Sequence, residues 1–352
     1  MPSKIGAEGD QYVARLKRML SDGTLSDAEA SVLIHEARTG KLSEVEAHYL
    51  AGFIDQHSDH FDTAARAKLT EFITSGEASK LAVMAPEVGR AKQVKQPALT
   101  PDSLKSGKVH WEKKVGQLVI GGFGADDALQ GQVGDCYFIS SLVSVANARP
   151  DLLQNAIVDH HDGTYTVTFQ SRPVRGLPPV PVSVTVDSLL PVRRGAPEYA
   201  AARNPKELWP LIFEKAYAAW KGGYDAIEAG MAANALEALT GGTPSFFVVS
   251  TAMNHDEVFK KLQLVNEAGG CVVALSKPED TGIDGLVADH AYAVLGTEEH
   301  GGEKFVKLRN PWGEHEPSGR LRKDDGIFLM PMGQFLQGFA TVETMALGAA
   351  PN

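Results

Sequence analysis

Short segments of alternating apolar and polar residues lie beyond residue 160, and their β-branched composition predicts strands. These predicted strands cover residues 164–170, 182–186, 271–276, 291–296 and 305–309. Two helices are predicted with them, one at 136–148, just before Pro150, and one at 207–221. Gly301 and Gly302 lie between the last two strands and predict a hairpin turn.

The first 85 residues lack this alternation and are predicted to be helical. The pattern Gly-x-Leu-Ser-x-x-Glu occurs twice there. In each copy the Ser and the Glu form a capping box, which satisfies backbone donors at the start of a helix. The two boxes are Ser26 with Glu29 and Ser43 with Glu46.

The same pattern also resembles the second half of a calcium-binding EF-hand loop. The positions of the leading oxygen ligands, however, hold Arg18 and Leu20 in one copy and His35 and Ala37 in the other. We therefore interpret both copies as capped helices without calcium. A further cluster at 57–62 contains two His and two Asp residues, and we interpret it as a solvated turn instead of a metal site.

Residues 86–106 form a basic, proline-containing stretch with little apolar periodicity, which is typical of a linker. An ordered loop that packs on a neighbouring domain is the alternative. The chain thus divides into a helical region at 1–85, a basic linker at 86–106 and a core at 107–352. Because a helical part precedes a strand-rich part, we expect an α+β fold with two lobes.

The composition excludes several classes of protein. The chain has 352 residues, 43% of them hydrophobic and 22% charged, so it can build a core without disulfide bonds. Its net charge of −10 argues against nucleic acid or an anionic membrane as a partner. Only two cysteines occur, and the Cys-x-x-Cys and His-Glu-x-x-His motifs of zinc sites are absent. Since no signal-peptide core and no run of about 18 apolar residues occurs, we expect a soluble cytoplasmic protein, with signal-independent secretion left open.

Cys136 has the sequence surroundings of a nucleophile. It opens the predicted helix at 136–148 directly after Gly134 and Asp135. The partial positive charge at a helix N-terminus favours the thiolate, which is the reactive species. Cys271 lies instead inside an apolar predicted strand, which is typical of an inert buried thiol.

Further residues complete a predicted catalytic set around Cys136. His290 begins a predicted strand and offers an imidazole that accepts and returns a proton near neutral pH. Asn310 ends the next strand and can orient that imidazole without adding a charge, while Trp312 can cover the resulting hydrogen bond from water. The Cys136 N–H and the Gln130 side chain are candidate donors to a tetrahedral oxyanion.

The segments that hold these residues resemble the signatures of the calpain family of cysteine proteases, within the papain-like superfamily. The family patterns are Gln-Gly-x-x-Gly-Asp-Cys-Trp, Gly-Leu-Val-x-x-His-Ala-Tyr and Arg-Asn-Pro-Trp-Gly. Here they correspond to residues 130–137, 285–292 and 309–313. The resemblance covers about residues 107–345 and implies a papain-like core with a helical lobe and a strand-rich lobe.

The resemblance also implies a mechanism. Cys136 would be the nucleophile, His290 the general base and acid, Asn310 its orienting partner and Gln130 part of the oxyanion hole. We therefore expect a cysteine endopeptidase, most simply a monomer, that cleaves protein or peptide substrates through an acyl-enzyme and needs no cofactor for its chemistry.

Two residues next to the catalytic set depart from the family pattern. Tyr137 replaces the usual Trp after the cysteine and keeps an aromatic ring. Asp289 replaces a common Gly before the histidine. A neighbouring carboxylate is expected to raise the pKa of His290 and to favour a thiolate–imidazolium ion pair.

Animal calpains bind two calcium ions in this core. This chain matches the full set of ligands at only one of the two sites. At the first site, Asp127 and Glu207 match carboxylate ligands, and Ile120 and Gly122 match carbonyl ligands. Calcium is therefore expected at one site at most and is not expected to be obligatory.

At the second site, Glu316 and Asp325 match, but Ile327 replaces a Glu ligand. That Glu also pairs with an Arg in animal calpains, and here Ala125 takes the place of the Arg. Since both partners of this bridge are replaced together by apolar residues, the hypothesis is a core that is competent without calcium.

Several alternatives concern the chain as a whole. The helical region at 1–85 is interpreted as an inhibitory prosegment that self-processing removes, or as a docking arm. For the core, a non-catalytic scaffold of the same fold and a cysteine-dependent acyl or peptidyl transferase are the alternatives to the protease.

Overall fold

The computed structural model describes residues 15, 18, 19, 24–38, 61–74, 94–171, 179–316 and 325–346. The chain divides into two compact units, one of residues 1–92 and 172–180 and the other of residues 93–171 and 181–352. None of the described helices combines the length and the apolar character needed to cross a membrane.

The first unit contains two described helices. They are α1 (Asp27–Arg38) and α2 (Thr63–Thr74). The predicted capping box starts α1, because the Ser26 N–H donates to Glu29 Oε2 at 2.9 Å and the Glu29 N–H donates to Ser26 Oγ at 3.4 Å. This first capping box is thus confirmed, whereas the second one lies outside the described residues.

Asp62 links the starts of both helices in the first unit. Its carboxylate accepts from the Ala65 N–H on α2 at 2.7 Å and from the Asp27 N–H on α1 at 2.9 Å. Leu25 and Phe61 form a parallel bridge just before the two helices, and both side chains are buried. Asp62 therefore caps a helix, while residues 57–60 of the same cluster lie outside the described residues.

The second unit combines helices with antiparallel sheets. Its helices are α3 (Pro101–Ser106), α4 (Cys136–Ala148), α5 (Pro150–Ala156), α6 (Trp209–Lys221), α7 (Ala232–Thr240), α8 (His255–Glu267) and α9 (Met332–Gly338), with a 3-10 turn at Asp225–Ile227. The strands along the chain are β1 (Val109–Lys113), β2 (Ala128–Leu129), β3 (Ile157–Asp159), β4 (Thr164–Ser171), β5 (Val180–Asp187), β6 (Leu189–Arg193), β7 (Ala196–Pro197), β8 (Ala201–Ala202), β9 (Pro244–Val248), β10 (Cys271–Ser276), β11 (Ala291–His300), β12 (Glu303–Arg309), β13 (Ile327–Pro331) and β14 (Phe339–Met345).

The largest sheet has six strands in the order β13-β12-β11-β10-β14-β9, and all neighbours are antiparallel. Side chains alternate between its two faces with the strand period of two. On β10, Cys271 and Val273 belong to a core shared with α4, α6 and α7, whereas Val272 and Ala274 belong to a core shared with α8 and α9. Cys271 is fully buried, as its sequence surroundings predicted.

Three smaller sheets complete the second unit. Their orders are β3-β4-β5, β1-β6-β7 and β2-β8. The described residues therefore form a fold of mixed helices and strands, as predicted. The predicted arrangement in two lobes stays a prediction.

Most of the predicted elements of the core are present. The helix at Cys136–Ala148 and the strand at Cys271–Ser276 have the predicted bounds. The helix predicted at 207–221 begins later, at Trp209, because the Leu208 N–H donates to the Gln117 carbonyl and Leu208 forms the N-cap.

The predicted hairpin is formed by β11 and β12, which pair antiparallel. Gly301 and Gly302 have φ values of 61° and 83°, a region that glycine enters without steric cost. The first strand of the hairpin is longer than predicted and ends at His300 instead of residue 296.

The described part of the predicted linker packs on the core. The Lys95 N–H donates to the Thr185 carbonyl at 2.8 Å, and Gln96 Nε2 donates to Asp187 Oδ1 at 2.8 Å. Ser103 on α3 is buried and donates from Oγ to a Glu198 carboxylate at 3.1 Å. The described part of 86–106 is therefore an ordered segment, which is the alternative to a linker, and the division of the whole chain into domains stays a prediction.

Candidate active site

Helix α4 begins at Cys136 without a side-chain cap. Asp135 occupies the N-cap position, but its carboxylate makes no hydrogen bond to the first turn. The Asp135 carbonyl accepts from the N–H groups of Phe138 at 2.8 Å and Ile139 at 3.1 Å. Because the first N–H groups of an α-helix have no intrahelical acceptor, the Cys136 N–H stays available to an incoming oxygen.

Three polar side chains attach α4 to the large sheet. Ser140 Oγ donates to the Ala291 carbonyl at 2.9 Å, and Asn147 Nδ2 donates to the Leu295 carbonyl at 3.1 Å. These bonds fix the helix that begins at Cys136 against β11, the strand that directly follows His290.

Ser144 makes two bonds to β10. Its Oγ accepts from the Val272 N–H at 2.8 Å and donates to the Val272 carbonyl at 3.1 Å. Ser144 lies four residues after Ser140 and three before Asn147, so all three side chains share one face of the helix. This spacing of polar residues within an apolar helix is a signal that the sequence prediction passed over.

His290 and Asn310 lie at neighbouring ends of β11 and β12, as the hairpin predicted. The His290 Nε2 atom is 3.0 Å from Asn310 Oδ1, and both side chains are buried. The Trp312 ring lies 4.6 Å from the imidazole, measured between ring centroids, and covers it at an interplanar angle of 44°. Asn310 thus lies within hydrogen-bond distance of the imidazole, and Trp312 lies against the imidazole ring.

The hydrogen bonds of Asn310 define the tautomer of His290. Asn310 Oδ1 also accepts from the Trp312 N–H at 3.1 Å, and a backbone N–H can only donate. The atom that faces His290 is therefore the amide oxygen, so Nε2 carries the proton of the neutral imidazole. Nδ1 is then the nitrogen with a lone pair that can accept a proton from a thiol.

The Cys136 thiol lies against the backbone at the start of β11. The N–H groups of Ala291, which follows His290, and of Tyr137 both act on the sulfur as hydrogen-bond donors. The two segments that the sequence predicted to meet, one around Cys136 and one around His290, are therefore in contact.

Burial dominates the electrostatics of the two reacting groups. It raises the pKa of the Cys136 thiol, and the charges of Asp135 and Asp289 act in the same direction. It lowers the pKa of His290 to about 4, although the bond to Asn310 and the charge of Asp289 act to raise it. Burial therefore acts against the charged form of each of the two groups.

Burial therefore acts against the ion pair that was expected between Cys136 and His290. Asp289 does act to raise the pKa of the imidazole, as expected, but burial outweighs it. Asp289 also has a φ of 50°, in the left-handed region, which explains why the family pattern has Gly at this position.

Gln130 is joined to the segment after Asn310. Its N–H donates to the Pro311 carbonyl at 2.9 Å, and its side-chain Nε2 donates to the Val133 carbonyl at 2.9 Å. Gln130 Oε1 is buried and has no hydrogen-bond partner. An amide nitrogen has two hydrogens, so one N–H of Gln130 remains for a further acceptor such as an oxyanion.

Comparisons with known proteins agree with this arrangement. Residues 98–325, more than half of the chain, match the sequence profile described as "Calpain family cysteine protease". The chain belongs to the calpain family of cysteine proteases, which are peptidases. It is similar to the human calpain-2 catalytic subunit, with 27% identity over 285 residues that cover 70% of this chain and 40% of that protein. It is also similar to human calpain-8, with 27% identity over 284 residues covering 70% of this chain and 39% of that protein.

A plant relative matches a shorter segment. The calpain-type cysteine protease ADL1 of Oryza sativa subsp. japonica is 34% identical over 206 residues, which cover 55% of this chain and 9% of that protein. This chain therefore corresponds to less than half of the length of the calpains it matches.

The residues that match the first calpain calcium site lie close together. The Ile120 N–H donates to Glu207 Oε1 at 2.6 Å. Burial raises the pKa of Glu207, and the negative charge of Asp127 adds to this effect. Two carboxylates in mutual repulsion fit a cation that prefers oxygen ligands. No group of three or more His, Cys, Asp or Glu side chains surrounds a metal position anywhere in the described ranges.

The residues that match the second calpain calcium site bond to the protein itself. Glu316 Oε1 accepts from the N–H groups of Asp325 at 2.7 Å and Gly326 at 2.9 Å. Asp325 Oδ1 accepts from the Ile327 N–H at 3.1 Å. Protein hydrogen bonds thus hold the backbone of residues 325–327, and the apolar Ile327 side chain offers no ligand.

Two arginines that the sequence analysis did not single out connect segments that are distant in sequence. Arg309 is fully buried, and its Nη2 donates to the carbonyls of Asp126 at 3.0 Å and Ala128 at 2.9 Å. Arg203 Nη2 donates to the Asp325 carbonyl at 2.9 Å. The signal for Arg309 was its place directly before Asn310 in the third motif.

Proposed function

We propose that this chain is a cysteine endopeptidase that hydrolyses internal peptide bonds through an acyl-enzyme on Cys136. The observation that carries the proposal is the imidazole of His290, which Asn310 holds through Nε2 so that Nδ1 is available to the thiol. A non-catalytic scaffold would not need this tautomer or the uncapped helix start at Cys136.

The first half of the reaction follows from these groups. As the Cys136 sulfur attacks the substrate carbonyl carbon, its proton passes to His290 Nδ1. The carbonyl π-electrons move to the oxygen, and the Cys136 N–H with the second N–H of Gln130 stabilise the oxyanion. The intermediate collapses, the C–N bond breaks, and the imidazolium gives its proton to the leaving amine.

The second half uses the same groups for hydrolysis. His290 Nδ1 accepts a proton from water as the water oxygen attacks the thioester carbon. The C–S bond then breaks, and the proton returns to the Cys136 sulfur. Asn310 accepts the Nε2–H bond throughout, and this bond is strongest while the imidazole is charged.

Labelling with a thiol-reactive epoxide inhibitor tests this function. We expect covalent modification at Cys136, together with loss of peptide hydrolysis. Cys136→Ser serves as the control, because it removes the thiol and leaves the thiol of Cys271 in place. Unimpaired peptide hydrolysis by Cys136→Ser, or product analysis showing transfer to an amine instead of to water, contradicts the proposal.

We further propose that the core is papain-like and two-lobed, with Cys136 on the helical lobe and His290 and Asn310 on the strand-rich lobe. The bonds of Arg309 to the carbonyls of Asp126 and Ala128 support direct contact between these parts of the chain. Calcium bound near Asp127 would reduce the repulsion between the carboxylates of Asp127 and Glu207. No catalytic step requires calcium.

Competence without calcium is supported by the contacts that replace the second calcium site. Glu316 holds the backbone of Asp325 and Gly326, and Arg203 holds the Asp325 carbonyl. We expect equal rates of peptide hydrolysis in calcium and in EGTA. Activity that disappears in EGTA and returns with calcium contradicts this expectation.

For residues 1–85 we propose an inhibitory prosegment that the enzyme itself removes. Wild type is expected to produce a fragment pattern on incubation that Cys136→Ala does not produce. Deletion of residues 1–85 is expected to raise activity. Unchanged activity after the deletion supports a docking arm instead.

A further inference from the structure

Asp135, the residue before the nucleophile, is buried in an unusual way. An Asp at an N-cap position ordinarily accepts from the first turn of its helix, but this carboxylate makes no such bond. Its exposed fraction is 0%, and neither carboxylate oxygen has a hydrogen-bond donor within the described part of the chain. A buried carboxylate without donors is costly, so its surroundings need an explanation.

The surroundings of Asp135 contain a second buried carboxyl group. Glu214 on α6 is 1% exposed, and its Oε1 accepts from the Ala200 N–H at 2.8 Å. The Asp135 and Glu214 side chains are within hydrogen-bonding contact of each other. Two carboxylates can only accept, so a hydrogen bond between them requires a proton on one of the two.

Among the described residues, no cation compensates for this pair of acids. The titratable groups that interact with the pair are Cys136 and Tyr137 on α4, Tyr217 on α6, and Tyr224 in the turn after α6. Lys215, the sequence neighbour of Glu214, is engaged with Asp187 at 2.5 Å. Only a retained proton can therefore lower the charge of the pair.

We propose that Asp135 and Glu214 share one proton as a buried acid pair, and that Asp135 is thereby a positioning residue for the nucleophile. Held by Glu214, the Asp135 side chain turns away from the first turn of α4. The Cys136 N–H then stays available to the oxyanion, and a shared proton limits the negative charge beside the thiol. The inference uses the proposed function only to assign Cys136 as the nucleophile.

The pair also gives the protein a pH dependence with a definite sign. Burial raises the pKa of Asp135 to about 8 and raises the pKa of Glu214 as well. In the unfolded chain both groups ionise near pH 4. The folded state therefore binds more protons than the unfolded state between about pH 4 and pH 8, so the stability falls as the pH rises through this window.

Loss of the shared proton also affects the nucleophile. The negative charge of Asp135 raises the pKa of the Cys136 thiol. Ionisation of the pair above about pH 8 is therefore expected to oppose formation of the thiolate.

Two amide variants test the pair in opposite ways. In Glu214→Gln, the amide can donate to Asp135 but has no carboxyl proton to share, so Asp135 carries its full negative charge beside the thiol once it ionises above about pH 8. Alkylation of Cys136 by iodoacetamide above pH 8, followed by mass spectrometry, is expected to be slower than in wild type, because the negative charge of Asp135 raises the pKa of the thiol. In Asp135→Asn, the charge beside the thiol is removed, so alkylation above pH 8 is expected to be faster than in wild type.

Infrared spectroscopy of the wild-type protein provides a readout that does not depend on the variants. The carbonyl stretch of a protonated carboxylic acid is expected at neutral pH and is expected to lose intensity above about pH 8, where Asp135 ionises. The band is expected to be weaker in Glu214→Gln, because one of the two acids is missing. Glu267→Gln, which removes an exposed carboxylate on α8, is the matched control and keeps the band.

The outcomes separate this inference from the proposed function. Absence of the acid band in wild type overturns the shared proton, and equal slowing of alkylation in both variants overturns the positioning role. If wild-type Cys136 reacts with iodoacetamide but no peptide is hydrolysed, the proposed function fails while the acid pair stands.

Discussion

Asn310 provides the sharpest test of the catalytic geometry. Its Oδ1 accepts two hydrogen bonds, from His290 Nε2 at 3.0 Å and from the Trp312 N–H at 3.1 Å, and its side chain is fully buried. Asn310→Ala removes both bonds and leaves the imidazole without its orienting partner.

The magnitude of this loss follows from the charge of the imidazole during the reaction. A hydrogen bond to a charged group contributes about 1.5–3 kcal/mol, and the bond to His290 has this character only when the imidazolium forms. At about 1.4 kcal/mol for each factor of ten, kcat is expected to fall roughly 10- to 150-fold. KM is expected to change little, because Asn310 contacts His290 and not the substrate.

Steady-state hydrolysis of a fluorogenic peptide measures both constants. Asn254→Ala is the matched control, because Asn254 caps α8 through the N–H groups of Asp256 and Glu257 and lies on an exposed turn. The control is expected to lose about 1 kcal/mol of stability and to keep its kcat. A kcat of Asn310→Ala within twofold of wild type refutes the argument that Asn310 orients His290.

Three further predictions concern stability and thiol reactivity. Ser144→Ala removes both bonds to Val272 and leaves a buried N–H and a buried carbonyl unpaired, so thermal or urea unfolding is expected to show a loss of about 2–3 kcal/mol. Burial raises the pKa of Cys271 to about 12, so mass spectrometry after iodoacetamide treatment at neutral pH is expected to find modification at Cys136 and none at Cys271. Asp289→Gly relieves a left-handed backbone conformation and is expected to raise the free energy of unfolding by about 1 kcal/mol; a decrease contradicts this account.

The local sequence predicted those features that depend on neighbours along the chain. The helix that starts at Cys136 follows from the glycine-containing turn before it and the apolar run after it. The approach of His290 to Asn310 follows from the hairpin at Gly301 and Gly302, because pairing of the two strands brings their distant ends together. These features needed no knowledge of the tertiary structure.

The charge state of the site could not be predicted in the same way. The sequence placed Asp289 beside His290 and a helix N-terminus beside Cys136, and both observations favoured an ion pair. Burial reverses this balance, and burial depends on how α4 packs against the large sheet. The contact between Asp135 and Glu214 also joins residues that are distant in sequence, and no local pattern indicated it.

The burial of Cys136 and His290 determines where charge can form during the reaction. In a buried site, a thiolate and an imidazolium are each costly, so they form only where a partner meets the new charge. Asn310 meets the positive charge on the imidazole, and the Cys136 N–H meets the negative charge on the substrate oxygen as the sulfur attacks. These contacts therefore stabilise the transition state more than the resting enzyme, which is the condition under which binding energy raises kcat. A proton shared by Asp135 and Glu214 supports the same arrangement, since it limits the negative charge beside the sulfur before attack.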